Sequence, residues 1–263
     1  VMSWWPWPPG TGAGVPPRDG KAVSMRFDLH IHSCLSPCAS LEMSPSAIVA
    51  RAKEVGLDGV ALADHNSALN QPALVEGCRR EGLACLCGME ICVAEEFHVL
   101  AVFDELETAL EMTRIVYAAL PKRVNQPEVF GDQPVVNANE EIDEMEWRLL
   151  SAPTRLTLRE VESTVHRMGG LLVACHIDRP VFSVVARFGV LSGNEGFDAM
   201  EISRHARPGP WRRHAGPLPL IASSDAHYLD DIGPSWTEAD LSAFTVQELK
   251  QAFRHSAVRI GRG

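Results

Sequence analysis

Seven short, nearly unbroken apolar runs constrain this chain more than any other feature: MRFDLHIH, LDGVALADH, LACLCGMEICV, EFHVLAVF, GGLLVACHID, FDAMEIS and LPLIASSDAH. A strand wetted on one face alternates apolar with polar residues. Runs as continuous as these suit strands covered on both faces, in a parallel sheet or barrel. Amphipathic stretches separate them. SPSAIVARAKEVG offers Ser44 or Ser46 as an N-cap, Pro45 in the first turn and Gly56 as a stop signal. TLREVESTVHRMGG spaces Thr157 and Glu160 as a capping box, while DELETALEMTRIVYAAL and TVQELKQAFRH give two more helices. Strands alternating with helices predict one α/β domain over residues 25–263.

Two stretches fall outside that pattern. Residues 1–24 hold three of the six tryptophans and five of the eighteen prolines, with no periodicity, and are expected to be a disordered tail. Residues 121–153 are the least readable, and their acidic run NEEIDEMEWRLL reads as a solvated helix face. A formal charge of −10 argues against a broad surface for duplex nucleic acid. It leaves room for a nucleotide or a nucleic-acid end, because a metal cluster carries its own concentrated positive charge. No run is long enough to span a membrane. The seven cysteines, odd in number and mostly inside apolar runs, predict reduced thiols in a cytoplasmic protein, and no obligate protein partner is evident.

The polar residues fall at the ends of the runs. In a strand the side-chain period is two, so His30 and His32 share a face, with Cys34 and Cys38 just beyond. The second run ends in Asp64 and His65, the third contains Glu90, and the fourth has His98. The fifth ends in His176 and Asp178, the sixth carries Glu201, and the seventh ends in Asp225 and His227. The carboxyl ends of parallel barrel strands gather at one mouth, so these scattered residues become neighbours. One histidine on an apolar run is more often a hydrogen-bonded core residue than a ligand. Several imidazoles and carboxylates at apolar strand ends would cost several kcal/mol unless compensated. Divalent cations compensate them, and the nitrogen-rich donor set suits zinc, manganese or iron better than calcium or magnesium.

With DLHIHS, LADHN, GMEI, FHVL, CHID and SSDAH in this order, the chain resembles the PHP (polymerase and histidinol phosphatase) metallophosphoesterases over residues 25 to 230. The resemblance implies a distorted seven-stranded (β/α)7 TIM-like barrel. It makes His30, His32, Glu90 and Asp225 ligands of one metal, with Glu90 bridging to a second ion on His98 and His176. His65 and His227 would hold a third. Cys38 stands where the family has His or Asp. Its thiolate would complete a zinc- or iron-favouring site; alternatively Cys38 is inert and the third site weak or empty. Cys34 is expected to pack.

The expected function is hydrolysis of a phosphomonoester or phosphodiester by a hydroxide generated on two or three divalent ions. The substrate would be a phosphorylated small molecule, a nucleotide or a nucleic-acid end. Arg179 would clamp the phosphate, with Asn66 helping; His205 or His227 would protonate the leaving group. Asp64 would orient an imidazole, and Asp178 and Ser183, just after a ligand strand, would support a ligand or contact the substrate. Arg204 and Arg207 either select substrate or solvate a loop; His166 and His255 are structural. Two rivals remain: an amidohydrolase, which leaves Glu90, the Asp64–His65 pair and the closing Asp225–His227 unexplained, and a non-catalytic metal-binding module.

Overall fold

The computed structural model describes residues 21–189, 191 and 193–263. In chain order the strands are β1 (Val23–Ile31), β2 (Gly59–Leu62), β3 (Ala84–Cys92), β4 (His98–Phe103), β5 (Pro134–Val136), β6 (Ile142–Met145), β7 (Leu171–Ala174), β8 (Ala199–Ile202), β9 (Leu220–Ala222), β10 (Ser235–Leu241) and β11 (Val258–Arg262). The helices are α1 (Pro45–Glu54), α2 (Gln71–Glu81), α3 (Leu106–Ala119), α4 (Pro127–Phe130), α5 (Leu158–Arg167), α6 (Val184–Phe188), α7 (Pro208–Ala215) and α8 (Val246–Arg254). Each of the seven apolar runs contains a strand, and the four amphipathic stretches between and after them form helices. Ser44 caps α1 by accepting from Ala47 N, and the Thr157–Glu160 capping box closes on α5. Helices α2, α4, α6 and α7 were not among the expected elements.

One sheet takes nine strands in the order β11-β10-β1-β2-β3-β4-β7-β8-β9. Strand β9 also packs against β10 and β11, and Ile31 bridges to Ala226, so the sheet nearly closes into a barrel. The two strands beyond the expected seven, β10 and β11, fill the gap between β9 and β1. Strand β10 alternates buried and partly exposed residues, a pattern that a search for continuous apolar runs passes over. Thr237 completes the closure by donating to Ala222 O and accepting from Ala222 N.

The sheet is not wholly parallel. Strand β4 runs antiparallel to both β3 and β7. Only Val93–Phe97 link β3 to β4, and a parallel crossover needs a dozen residues or more. The reversal puts the first residue of β4, His98, at the mouth where its neighbours end.

Both faces of the strands are covered. Phe27, Leu29, Leu100, Val173 and Ile221 form one core with Phe244, Leu249 and Phe253 of the C-terminal region. The opposite faces pack on the helices through Ile48, Leu74, Val116 and Val161. Truncating one of the buried phenylalanines to alanine costs about 3–5 kcal/mol.

The acidic run corrects the helix expectation: Ile142–Met145 is strand β6, paired with β5. Asn137 explains it. Its side-chain oxygen accepts from Asn139 N and Glu141 N, closing a tight turn that hands the chain to a strand. Strand pairing also begins at Val23, opposite Leu241, inside the stretch expected to be tail; residues 1–20 lie outside the described residues. No disulfide forms, and no helix is long and apolar enough to cross a membrane, among the described residues.

Candidate metal centre

Glu90, buried on β3, is the hub of the mouth. Its Oε1 lies 2.9 Å from His98 Nδ1, 3.0 Å from His176 Nε2 and 3.4 Å from His30 Nε2. Its Oε2 lies 2.9 Å from His65 Nδ1 and 3.5 Å from His32 Nε2. Asp225 Oδ1 approaches the same two β1 nitrogens, at 3.5 Å from His30 Nε2 and 3.3 Å from His32 Nε2. Cys38 Sγ sits 3.3 Å from His65 Nε2 and 3.1 Å from His227 Nε2. All nine expected ligands therefore converge.

Three sets gather within 4.8 Å: His30, His32 and Asp225; His65, Glu90 and His98; and His32, His65 and His227. A fourth comprises His30, Glu90 and Cys175. By this proximity His65 joins the Glu90–His98 set as well as the set with His227.

The backbone is bent to achieve this. Asn66, His176 and Asp225 have φ of 53°, 28° and 51°, in the left-handed region that side chains rarely adopt. All three follow strand ends at the mouth, where such strain commonly accompanies function.

Outer hydrogen bonds aim the ring nitrogens. His30 Nδ1 meets Glu201 Oε1 at 3.0 Å, leaving Nε2 turned into the cluster. Ser36 Oγ donates to Asp64 Oδ1 and lies 2.9 Å from His32 Nδ1, which donates to it in turn. Asp64 thus orients His32 through Ser36 rather than by direct contact. His227 Nδ1 donates to Asp225 O at 2.9 Å, so its Nε2 presents a lone pair towards Cys38. The outer partners Glu201 and Ser36 received no role from the sequence. Only their place in three dimensions reveals one.

The electrostatics are strained without a cation. Burial pushes Glu90 up, but His98, His30 and His65 outweigh it and hold the carboxyl well below its usual range. Burial pulls His30 down, while Glu201, Asp225 and Glu90 raise it well above the usual imidazole value. His32 is driven well down, by burial and then by His227. The Cys38 thiol is raised by burial yet lowered overall to about 6 by His65 and His227. Asp28, behind His30, is pushed up to about 7 by burial despite bonds from Ser224 and His30.

These residues fit divalent metal. His98 Nδ1 makes no hydrogen bond, although a carboxylate oxygen is 2.9 Å away. The two atoms face a common space rather than each other, as ligands of one ion do. Arg179 is the one arginine or lysine touching the cluster among the described residues, through Asp225 Oδ2 at 2.5 Å. Its side chain remains 41% exposed and free to meet an incoming anion.

Other expected residues have different work. Both Nδ2 protons of Asn66 are donated, to Leu150 O and Ala152 O, and its oxygen accepts from Cys92 N, so it has no donor left for phosphate. Asp178 accepts from Ser203 N and Oγ, tying the end of β7 to the end of β8. Ser183 caps α6 and donates to Arg179 O. His205 is exposed and its side chain touches no member of the cluster among the described residues. Arg204 braces the mouth, donating to Ser224 O and pairing with Asp231, which holds His227 N. Cys34 is buried against Asn70, and burial pushes its thiol up to about 12.

Comparison with known proteins follows the same lines. The family model described as PHP domain matches residues 28–176, and one described as PHP-associated matches residues 214–258. No curated protein matches the sequence. Among solved structures, the lesion-specific endonuclease EndoQ of Pyrococcus furiosus has a TM-score of 0.68 at 20% identity over 90% of this chain. Endonuclease Q bound to a 27-mer duplex with an abasic lesion at its active site gives 0.61 at 17% identity over 88%. The chain spans 58% and 56% of those two structures. An amidohydrolase from Chromobacterium violaceum, with bound sulfate and no metal, gives 0.56 at 18% identity, covering 90% of this chain and 97% of that one. At these identities the likeness is one of fold.

Proposed function

The chain belongs to the PHP family, and from that premise we propose that it is a metal-dependent phosphoesterase. The observation that carries the reading is one buried carboxylate, Glu90, within 3.5 Å of five imidazoles. His30, His32, Glu90 and Asp225 would hold one ion; Glu90, His98 and His176 would hold another; His65, His227 and Cys38 would hold a third. Zinc, manganese and iron suit these donors. Such ions, when bound, neutralise phosphate charge and acidify water towards neutrality.

The protein's own groups do the rest. Glu201 and Ser36 hold the outer nitrogens of His30 and His32, so that both Nε2 atoms are aimed into the cluster. Arg179, which meets Asp225 through one terminal nitrogen, keeps other N–H donors for the equatorial phosphate oxygens, where charge develops. With its Nδ1–H held by a carbonyl and its Nε2 facing Cys38, His227 acts as a ligand rather than as an acid. His205 stays outside the reacting group's reach.

Phosphomonoesters and phosphodiesters are both candidate substrates. Endonuclease Q, similar in fold, holds a duplex with an abasic lesion at its active site, which is in keeping with a nucleic-acid substrate. The test is a panel of p-nitrophenyl phosphate, bis-p-nitrophenyl phosphate and acyl amides, with added Mn²⁺ or Zn²⁺. Metal-dependent release from a phosphate ester is expected. Release from the amides alone would transfer the protein to the amidohydrolase reading, and metal binding without turnover to a non-catalytic one.

A further inference from the structure

The loop after β7 carries an aromatic ring that the metal cluster does not use. Phe182 is 48% exposed, and Val181 before it is 60% exposed. Its backbone is nevertheless pinned. His98 N donates to Phe182 O at 3.0 Å, and a φ of 56° holds the residue in the left-handed region, costly for a bulky side chain. The ring lies on the His98 imidazole with centroids 5.0 Å apart and planes inclined by 15°. One face therefore rests on a candidate metal ligand, and the exposed area belongs to the other face and the edges. A ring that served only to cover His98 would gain more by turning its remaining apolar surface inward.

The space beside it is shaped to match. Glu96, Pro180, Val181, Phe182, Ala186 and Arg187 line a cavity of 370 Å³. An apolar ledge thus adjoins the metal centre, with Arg179 on the side of Asp225 and Arg187 and Glu96 at the cavity wall.

We infer that Phe182 is a stacking platform for the nucleobase of a nucleotide-type substrate whose phosphate occupies the metal centre. A base has the flat face that covers an exposed ring and a polar edge that can bond Arg187 and Glu96. An aliphatic phosphate ester would leave the ring in water. The placing of the phosphate rests on the phosphoesterase reading; the stacking of the base does not.

The experiment measures binding on the metal-loaded protein. Calorimetric titration with adenosine 5′-monophosphate and with glycerol 3-phosphate is expected to show about tenfold tighter binding of the nucleotide, in keeping with base–aromatic stacking. In Phe182→Ala the ratio should fall to near one, and in Phe182→Trp it should persist, with metal content per chain unchanged in both. The wild type alone gives a second measurement: 2-aminopurine riboside 5′-monophosphate should lose fluorescence on binding, as a stacked base does. No preference in the wild type, an unquenched probe, or a preference that survives Phe182→Ala overturns the platform. A preserved preference in a protein that hydrolyses no ester would keep the platform and remove the phosphoesterase reading.

Discussion

Among the described residues two groups pair histidine with carboxylate, and they are built on opposite principles. On the outer side, His166 of α5 meets Glu162 through Nδ1 at 2.9 Å and Asp198 through Nε2 at 3.0 Å, while Lys250 stands 3.6 Å from Asp198. Each ring nitrogen has its own carboxylate, so the imidazole is satisfied as a cation, and the group is partly wet. At the mouth, five imidazoles crowd one carboxylate in a buried space. His98 and His176 each leave Nδ1 without a hydrogen bond. The first arrangement is complete as it stands and staples α5 to the barrel. The second is complete only with positive charge at the points its nitrogens face. Counting histidines beside acids does not separate the two; pairing the atoms does.

The sharpest way to break that contrast is to remove an inner ligand. Asp225→Asn is expected to lower bound metal by about one ion and kcat/KM by more than a hundredfold, beyond the tenfold to hundredfold that an outer partner commands. Metal analysis beside turnover checks it; full metal and activity would show that the mouth, too, is only a staple. Next in size is Glu201→Gln, which weakens the hold on His30 Nδ1 without touching a ligand. A loss of metal affinity of roughly tenfold to hundredfold is expected, read by competition with a chelator.

Cys38→Ser should act on the third ion alone. Stoichiometry should fall towards two, Cys38→Asp should restore it with a shift from zinc to manganese, and activity should suffer less than in Asp225→Asn. Unchanged zinc content in the serine variant would make Cys38 a bystander. The smallest effect belongs to the outer group. Asp198 raises the His166 pKa, with Glu162 helping. A raised pKa in the folded state contributes stability that is full below the unfolded value of about 6.5 and is lost as pH rises through the folded one. His166→Gln should therefore cost about 0.5–1 kcal/mol at pH 6 and less at pH 9 by denaturant titration, with metal content untouched. A larger loss at the higher pH would reverse the sign and sink the assignment.

Much of this was legible in the residues. Buried strands betray themselves as continuous apolar runs, so all seven could be read, and residues at their ends had to meet wherever those ends met. What failed was of another kind. Strand β10 is covered on one face only and alternates. The reversal of β4 was implicit in a five-residue connection, Val93–Phe97, too short for a crossover. Asn66 looked like a phosphate donor because its bonds to Leu150 and Ala152 span more than eighty residues of sequence. Glu201 and Ser36 were unassigned for the same reason: partners behind a ligand leave no spacing to read.

The reversed β4 has a consequence in time as well as in space. Strands β3 and β4 form a hairpin, Cys92 opposite His98, so Glu90 and His98 can be brought together by a short loop closing. Barrel closure is the reverse case: Val23 must find Leu241, more than two hundred residues away, and the strand bearing His30 and His32 meets Asp225 and His227 only then. Closing a short loop costs less chain entropy and takes far less time than a long one. The Glu90–His98 pair is therefore expected to form before the contacts of Asp225 and His227 with β1. Zinc added during refolding should speed formation of the native signal in the wild type, and lose that effect in Glu90→Gln.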